Sequence, residues 1–391
     1  MINVIEAKQL IIENCPVPKV KTLPLLEATG SILAEPVYSP IDTPPFHQSA
    51  MDGYVFSYEG WDKKSPLIVN GEIQTGSYYS KPVLANEAMR IFTGAPVPSG
   101  ADTVVMQEKV VRDNNVIIIQ DEHLAKGSNV RLQGSQTKKG EIALHQKQLL
   151  TPAGISFLAG IGISKINVFS KPAVSIIVTG KELTTAGAEI TDGKIFESNS
   201  IGLRAALQQL NIKEVSVEVV DDEEEEITNA ITRNLEADIL ILTGGVSLGD
   251  YDLVPASLEK CGVVKVFHKV KQKPGKPFYF GKFNQTLVFA LPGNPAAVMS
   301  CFYEYVVPAI SSFTQINYFK KLLLPLANDF HKKAGLTYFL KGKTGEQNVA
   351  ILNNQESYLL NSFAVADCLV ELDEDKEHFK KGDLVNICMI I

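Results

Sequence analysis

The sequence predicts a multidomain chain of the α/β plus β class. Its 391 residues are too many for one ordinary core. Three apolar runs, VSIIVTG (174–180), ADILILTGG (237–245) and TLVFALPGNP (286–295), each empty into a glycine-bearing turn, as parallel strands covered on both faces do. Short β-branched runs separated by Gly, Asn and Asp lie on either side of that region, and they read as all-β units.

Taken from the N-terminus, MINVIEAKQLIIENCPVP places acids inside its apolar stretch and reads as an amphipathic helix, not a secretory leader. Turn-rich sequence with many prolines follows to residue 45. Residues 46–137, with YVF, PLIV, TVVM and VIIIQ, form the small β unit. TPAGISFLAGIGI (151–163) reads as a buried helix and connector within 138–171. The α/β region spans 172–316. There SNSIGLRAALQQLNI carries Leu203, Ala206, Leu207 and Leu210 on one face behind a Ser/Asn cap. The run DDEEEE (221–226) reads as a helix start capped by Asp221 or Asp222, with an acidic first turn matched to the helix dipole. NPAAVMSCFYEYVV has Asn294 as cap and Pro295 at the first helical position, and Pro308 ends that helix or sits at its end. Residues 317–391, with GLTYFLKG, NVAILN and DLVNICMII, close the chain as a second β unit.

Composition narrows the function. Hydrophobic content of 45% with 21% charged residues is that of a soluble globular protein, and a cytoplasmic location is expected. A net charge of −7 argues against general nucleic-acid binding. No apolar run approaches the ~20 residues that span a bilayer. Five scattered cysteines without a CxxC pair argue against disulfides and zinc, and point to reduced, mostly buried thiols.

The chemistry concentrates in the α/β region. In an open α/β sheet, ligands bind beyond the carboxyl ends of the strands. The three apolar runs should therefore bring Thr179, Gly180 and Glu182 together with Gly244, Gly245, Ser247, Gly249, Asp250 and Asp252, and with Pro292, Gly293 and Asn294. The last group opens a helix, where free amides attract phosphate. HKVKQKPGKPFYFGK (268–282) adds Lys269, Lys273 and Lys276, with prolines that stiffen the backbone around them. Glycines and lysines suit an anion, and carboxylates oppose one. A Mg2+ ion held by Glu182 and Asp252 resolves the conflict, because magnesium is held by one or two carboxylates together with substrate phosphates. In the small β unit, the DG of PPFHQSAMDGYVF reads on physics alone as a turn, so Asp52 reads as a turn residue.

Six segments, SAMDGY (49–54), TGAPVPSGAD (93–102), TGKEL (179–183), TGGVSLGDYD (243–252), KPGKPF (273–278) and LPGNPAA (291–297), resemble in order the signature blocks of molybdopterin molybdenumtransferase, the MoeA and gephyrin E-domain family. The resemblance implies a homodimer of four-domain subunits: an extended linking domain (1–45 and 138–171), a small β domain (46–137), an α/β molybdopterin-binding domain (172–316) and a C-terminal β-barrel (317–391). It implies a transferase of molybdenum cofactor biosynthesis, whose substrates are adenylated molybdopterin and molybdate, which uses Mg2+ and releases AMP. The active site would be shared between subunits, so that Asp52 and Thr93 act across the dimer. Carried over residue by residue, Glu182, Asp238 and Asp252 match the acidic positions and Lys269 and Lys273 the basic ones. Ser357 matches a serine near molybdate, and Lys341 stands where an arginine is usual. Asp238, just ahead of ILILTGG, should nevertheless begin a strand, away from its carboxyl end. One turn departs from the family: NVRLQGSQTKKG has Ser135 and Gln136 where acidic residues are usual, and Asp367 replaces an asparagine. Partners implied are the pterin, the adenylyltransferase that makes it, and apo-molybdoenzymes. Molybdopterin adenylylation and a non-catalytic scaffold, the role gephyrin also plays, are the competing functions.

Overall fold

The structure, a computed structural model, describes residues 1–246 and 253–390. The chain forms two compact units, Thr22–Val168 and Met1–Lys21 with Phe169–Ile391.

The unit Thr22–Val168 is built on a six-stranded sheet in the order Thr103–Met106, Gly53–Phe56, Glu87–Ile91, Leu67–Ile73, Val116–Ile119, Val110–Asp113. Its pairs are antiparallel except Leu67–Ile73 with Glu87–Ile91. The DG at 52–53 is not a hairpin turn. Gly53 begins a strand, and a Cβ there would stand 1.9 Å from the Val105 carbonyl oxygen, so the close strand approach demands glycine. The helix expected in TPAGISFLAGIGI runs Pro152–Gly160 with Thr151 as its cap, and it is one-sided: Leu158 is its buried residue.

In the other unit, α1 (Val4–Asn14) buries Val4, Ala7 and Ile11 in the same core as Val174, Phe278 and Phe302. The helix assigned by sequence to the linking segment therefore packs on the α/β sheet, because its apolar stripe has its partners there. That sheet is made of β1 (Val174–Thr179), β2 (Val215–Val220), β3 (Ile239–Thr243), β4 (Val264–His268), β5 (Tyr279–Phe283) and β6 (Thr286–Leu291). Their order is β2-β1-β3-β6-β5-β4. β2, β1, β3 and β6 are parallel, as the continuous apolar runs predict, and every residue of β1, β3 and β6 is buried. β5 is antiparallel to both neighbours.

α2 (Asn199–Gln209) buries Leu203, Ala206 and Leu207. Its first turn is capped differently from the Ser/Asn expectation, since the Glu197 carboxylate accepts from Ser200 N–H at 2.8 Å and from Ser200 Oγ at 2.6 Å. α3 (Glu224–Asn234) has the acidic first turn expected, but Glu223, not Asp221 or Asp222, is its cap position. α4 spans Leu253–Lys260 and α5 Pro295–Cys301. α5 passes through a π turn, Phe302–Val306, into α6 (Val307–Thr314). Pro308 does not end the helix. The wider turn absorbs the donor that proline lacks. The whole stretch Pro295–Thr314 is long and apolar enough to cross a membrane, but 78% of its apolar window is buried in this core.

Inside that core Glu304 is fully buried, and Lys8 of α1 bonds it at 2.5 Å. Burial pushes the Glu304 carboxyl up, and the adjacent ammonium pulls it back.

The C-terminal strands are β7 (Lys321–Pro325), β8 (Thr337–Thr344), β9 (Val349–Ile351), β10 (Cys368–Leu372) and β11 (Leu384–Met389). They pair β9-β8-β10-β11-β7, and a bridge from Leu326 to Val349 returns from the end of β7 to β9. Leu326, Leu340, Val349, Val370 and Ile387 belong to their buried core. The short strand Gln272–Lys273 adds to β8, so the lysine loop is stitched to this sheet.

Candidate active site

A cleft of about 860 Å³ opens at the carboxyl ends of β1, β3 and β6. The three loops expected to meet there do so. Thr179 and Glu182 enter it from β1, Gly244 and Gly245 from β3, and Pro292, Gly293 and Asn294 from β6. Gly180 sits between the first two, with the Glu182 carboxylate 3.0 Å from where its Cβ would be. The backbones touch. Gly244 has φ +99°, and a Cβ on it would lie 2.4 Å from the Thr179 carbonyl oxygen. Gly293 in turn lies against the Gly244 Cα. Side chains at Gly244 would force the loops apart, which is the physical reason for that glycine. Ser247, Gly249, Asp250 and Asp252 lie outside the described residues.

The loop KPGKP forms the adjacent wall, with Lys273 and Lys276 in the cleft. Its rigidity has a source that sequence reasoning did not identify. Gln272, 1% exposed, donates from Nε2 to the Gly275 carbonyl at 3.1 Å and accepts from the Tyr305 hydroxyl. Gly275 has φ +86°, and a Cβ there would meet Cys301 Sγ at 2.5 Å. The loop is clamped onto the α5–π-turn helix. Lys273 Nζ lies 5.3 Å from the Tyr338 ring centroid. Lys269, also expected in the site, follows β4 at φ +75°, donates its N–H to Phe278 O, and is not part of the cleft lining.

Asp238 stands at the amino end of β3, opposite the cleft. Its carboxylate accepts from Lys19 Nζ at 2.6 Å and from Ala173 N–H at 2.9 Å. It fastens the start of the strand, as its position ahead of ILILTGG predicts.

The helix opening at Asn294 differs from a free anion cradle. Ala296 N–H donates to Ser357 O and Ala297 N–H to Asn294 O, while Pro295 has no N–H. Of the first-turn amides, Ala296 is thus engaged by the Ser357 loop and Ala297 by the turn itself. Among the described residues, the N–H groups of Gly293 and Asn294 are the ones at this turn without a partner. Ser357 lines the cleft beside Gln355 and Tyr358. Lys341 does not face the cleft. It is 3% exposed, and Nζ donates to the carbonyls of Asn354, Glu356 and Leu359, which holds the Ser357 loop from behind. Burial lowers the Lys341 ammonium pKa below its ordinary value, and Glu356 opposes that shift.

Two further residues went unread in the sequence. Asn199 donates from Nδ2 to Thr243 Oγ1 and to Gly293 O, both at 2.8 Å, and so ties α2 to two of the three loops. Phe196 and Tyr358, 44% and 64% exposed, present aromatic rings to the same cleft. Thr179 Oγ1 and Asn199 Oδ1 are buried oxygens without a hydrogen-bond partner among the described residues. Asp222, read as a helix cap, also lines this cleft. No group of three or more His, Cys, Asp or Glu gathers as metal ligands among the described residues.

In the other unit, Asp52 and Thr93 form a pair. Asp52 Oδ1 accepts from Thr93 N–H at 2.8 Å and from Thr93 Oγ1 at 2.7 Å. These bonds, the backbone one first, hold the Asp52 carboxyl below the usual carboxylate range.

Comparison with known proteins agrees with this architecture. Residues 2–162 match the MoeA N-terminal region (domain I and II), 175–312 a probable molybdopterin binding domain, and 324–390 the MoeA C-terminal region (domain IV). The molybdopterin molybdenumtransferase of Haemophilus influenzae is 32% identical over 99% of this chain and 98% of its own. That of Staphylococcus epidermidis is 31% identical over 99% and 95%. The molybdopterin biosynthesis MoeA protein of Pyrococcus horikoshii superposes with a TM-score of 0.87 at 28% identity, covering 100% of this chain and 99% of that one. With matches that run the length of the chain, this protein belongs to the molybdopterin molybdenumtransferase (MoeA) family.

Proposed function

We propose that this chain inserts molybdate into adenylated molybdopterin, with Mg2+, and releases AMP. The observation that carries the reading is the convergence of the β1, β3 and β6 loops with Lys273 and Lys276 on one cleft. Unpaired backbone N–H groups and ammonium groups favour a phosphorylated ligand. Phe196 and Tyr358 offer flat apolar faces to its planar rings.

Oxygen donors suit magnesium. Glu182 is the described carboxylate for it, and the orphaned Thr179 Oγ1 and Asn199 Oδ1 lie in the same cleft. Asp252 is the second carboxylate of the reading, and Ser247, Gly249 and Asp250 belong to the same sequence stretch. When bound, Mg2+ would neutralise substrate phosphate oxygens beside Glu182. Among the described residues the Asp52 carboxylate bonds Thr93 alone, and in this reading a second copy of the chain presents the pair to the cleft in a homodimer. The Leu326–Val349 bridge supports reading the C-terminal strands as a β-barrel.

Purified protein mixed with adenylated molybdopterin, molybdate and magnesium should release AMP and yield cofactor that activates an apo-molybdoenzyme. AMP release no faster than without protein would overturn the proposal.

A further inference from the structure

A short two-stranded ladder stands apart from the larger sheets near the C-terminus. Phe330–His331 pairs antiparallel with His378–Phe379, so that Phe330 lies opposite Phe379 and His331 opposite His378. Side chains alternate across a strand, and the two positions divide accordingly. Phe379 is buried and Phe330 packs against the same C-terminal core. His331 and His378 are exposed.

The two imidazoles converge. His331 Nδ1 lies 2.5 Å from His378 Nδ1, with ring centroids 4.6 Å apart and planes at 79°. Such a contact needs a lone pair on at least one nitrogen, and a cation between the rings uses both. The backbone behind them is fixed. Lys332 N–H donates to Glu377 O at 2.9 Å, and the buried Lys332 Nζ donates to the carbonyls of Leu336 and Glu374 at 3.1 Å. Two carboxylates flank the pair in sequence. Asp329 accepts from Lys381 N–H at 2.7 Å and Glu377 from Ala334 N–H at 3.2 Å, neutral donors that leave each negative charge in place. The nearby Lys376 ammonium is taken up by Asp383 at 2.6 Å. Converging imidazoles with carboxylates beside them favour a cation.

We propose that His331 and His378 bind a divalent transition-metal cation through their Nδ1 atoms, with water completing the coordination. Imidazole suits Zn2+, Ni2+ and Cu2+, whereas Mg2+ keeps to oxygen ligands. A metal–nitrogen bond of about 2.0–2.1 Å sets two such ligands roughly 3 Å apart, so the rings open by roughly 1 Å or less. Exposed side chains make that adjustment without disturbing the core. Neither histidine lines the cleft at the carboxyl ends of β1, β3 and β6, and the site does not depend on the function proposed for that cleft. The ion clips the two strands together, because the folded chain alone presents both nitrogens.

Calorimetric titration of the full chain with Ni2+, at about pH 8 where imidazole is ordinarily neutral, tests the proposal. Excess Mg2+ throughout occupies oxygen sites and leaves imidazoles free. The parent should bind one Ni2+ per chain. His331→Ala and His378→Ala should each weaken that binding by about tenfold or more, because one imidazole remains where two chelated. His123→Ala, at an exposed histidine of the other unit, should bind as the parent does. In nitrogen NMR, Zn2+ should shift the Nδ1 resonances of His331 and His378 together, which a purely structural pair would not show. The proposal is overturned if the parent binds no Ni2+ up to millimolar metal, or if His123→Ala abolishes binding. It is equally overturned if either ladder variant binds as the parent does while circular dichroism shows it folded.

Discussion

Asn294 Nδ2 donates to Ser357 Oγ at 2.9 Å, and the Ser357 carbonyl accepts from Ala296 N–H at 3.0 Å. Two residues 63 positions apart thereby fix the start of a helix on the α/β sheet to the loop that closes one wall of the cleft. Ser357→Ala removes the side-chain bond and keeps the carbonyl one. A loss of about 1 kcal/mol in stability is expected, as for a part-exposed hydrogen bond, with a larger fractional loss of AMP release. Urea unfolding beside the activity assay separates the two. Unchanged activity would remove Ser357 from the site.

Lys273 and Lys276 stand on a loop whose conformation Gln272 holds. Lys273→Gln with Lys276→Gln should weaken AMP binding by tenfold or more, on the scale of a few kcal/mol for two phosphate partners, and flatten its salt dependence. Gln272→Leu should weaken binding in the same direction without touching a charge, because Gly275 loses its anchor. Calorimetric titration with AMP at two ionic strengths is the check.

How much of this was legible in the sequence follows from where each signal resides. β1, β3 and β6 were readable because burial on both faces leaves an unbroken apolar run, and the turn after each run must be glycine where backbones touch, as at Gly244 and Thr179. Gln272 and Asn199 were not, because Tyr305, Thr243 and Gly293 are distant from them in sequence, and nothing local marks Phe196. The helix opening at Asn294 was located correctly, but its amides were expected to be free. The Ala296 amide instead donates to the Ser357 carbonyl, which only the folded chain brings near. Asp52 was read as a turn residue because the dipeptide DG usually is one. Here the close Val105 carbonyl, not a turn, demands the glycine.

Asp52 titrates abnormally for a stated reason. Its folded pKa is depressed by Thr93 below the unfolded value of about 3.9. Its contribution to stability is therefore present above that value and is lost as pH falls through the lower folded pKa. Thr93→Val removes the hydroxyl donor and keeps the N–H. The Asp52 carboxyl resonance, followed by carbon NMR, should then titrate at higher pH than in the parent. No movement would contradict the hydrogen-bond account.

Lys8 and Glu304 form a buried pair that also reaches Glu371 at 3.5 Å. Lys8→Met strands a carboxylate in the core and should cost about 3–5 kcal/mol, whereas Lys8→Met with Glu304→Leu should recover most of it. Denaturant midpoints of the single and double variants decide. A single variant as stable as the parent would show that α1 contributes no charge compensation to the core.

The central claim is that one cleft, at the tips of three neighbouring parallel strands, receives the phosphorylated pterin. Crystals soaked with AMP, molybdate and magnesium test it most directly. The account expects the AMP phosphate among Lys276, Gly244 and Gly293, with Glu182 within reach of the cation. Nucleotide bound elsewhere on the chain, with this cleft holding solvent alone, would contradict it.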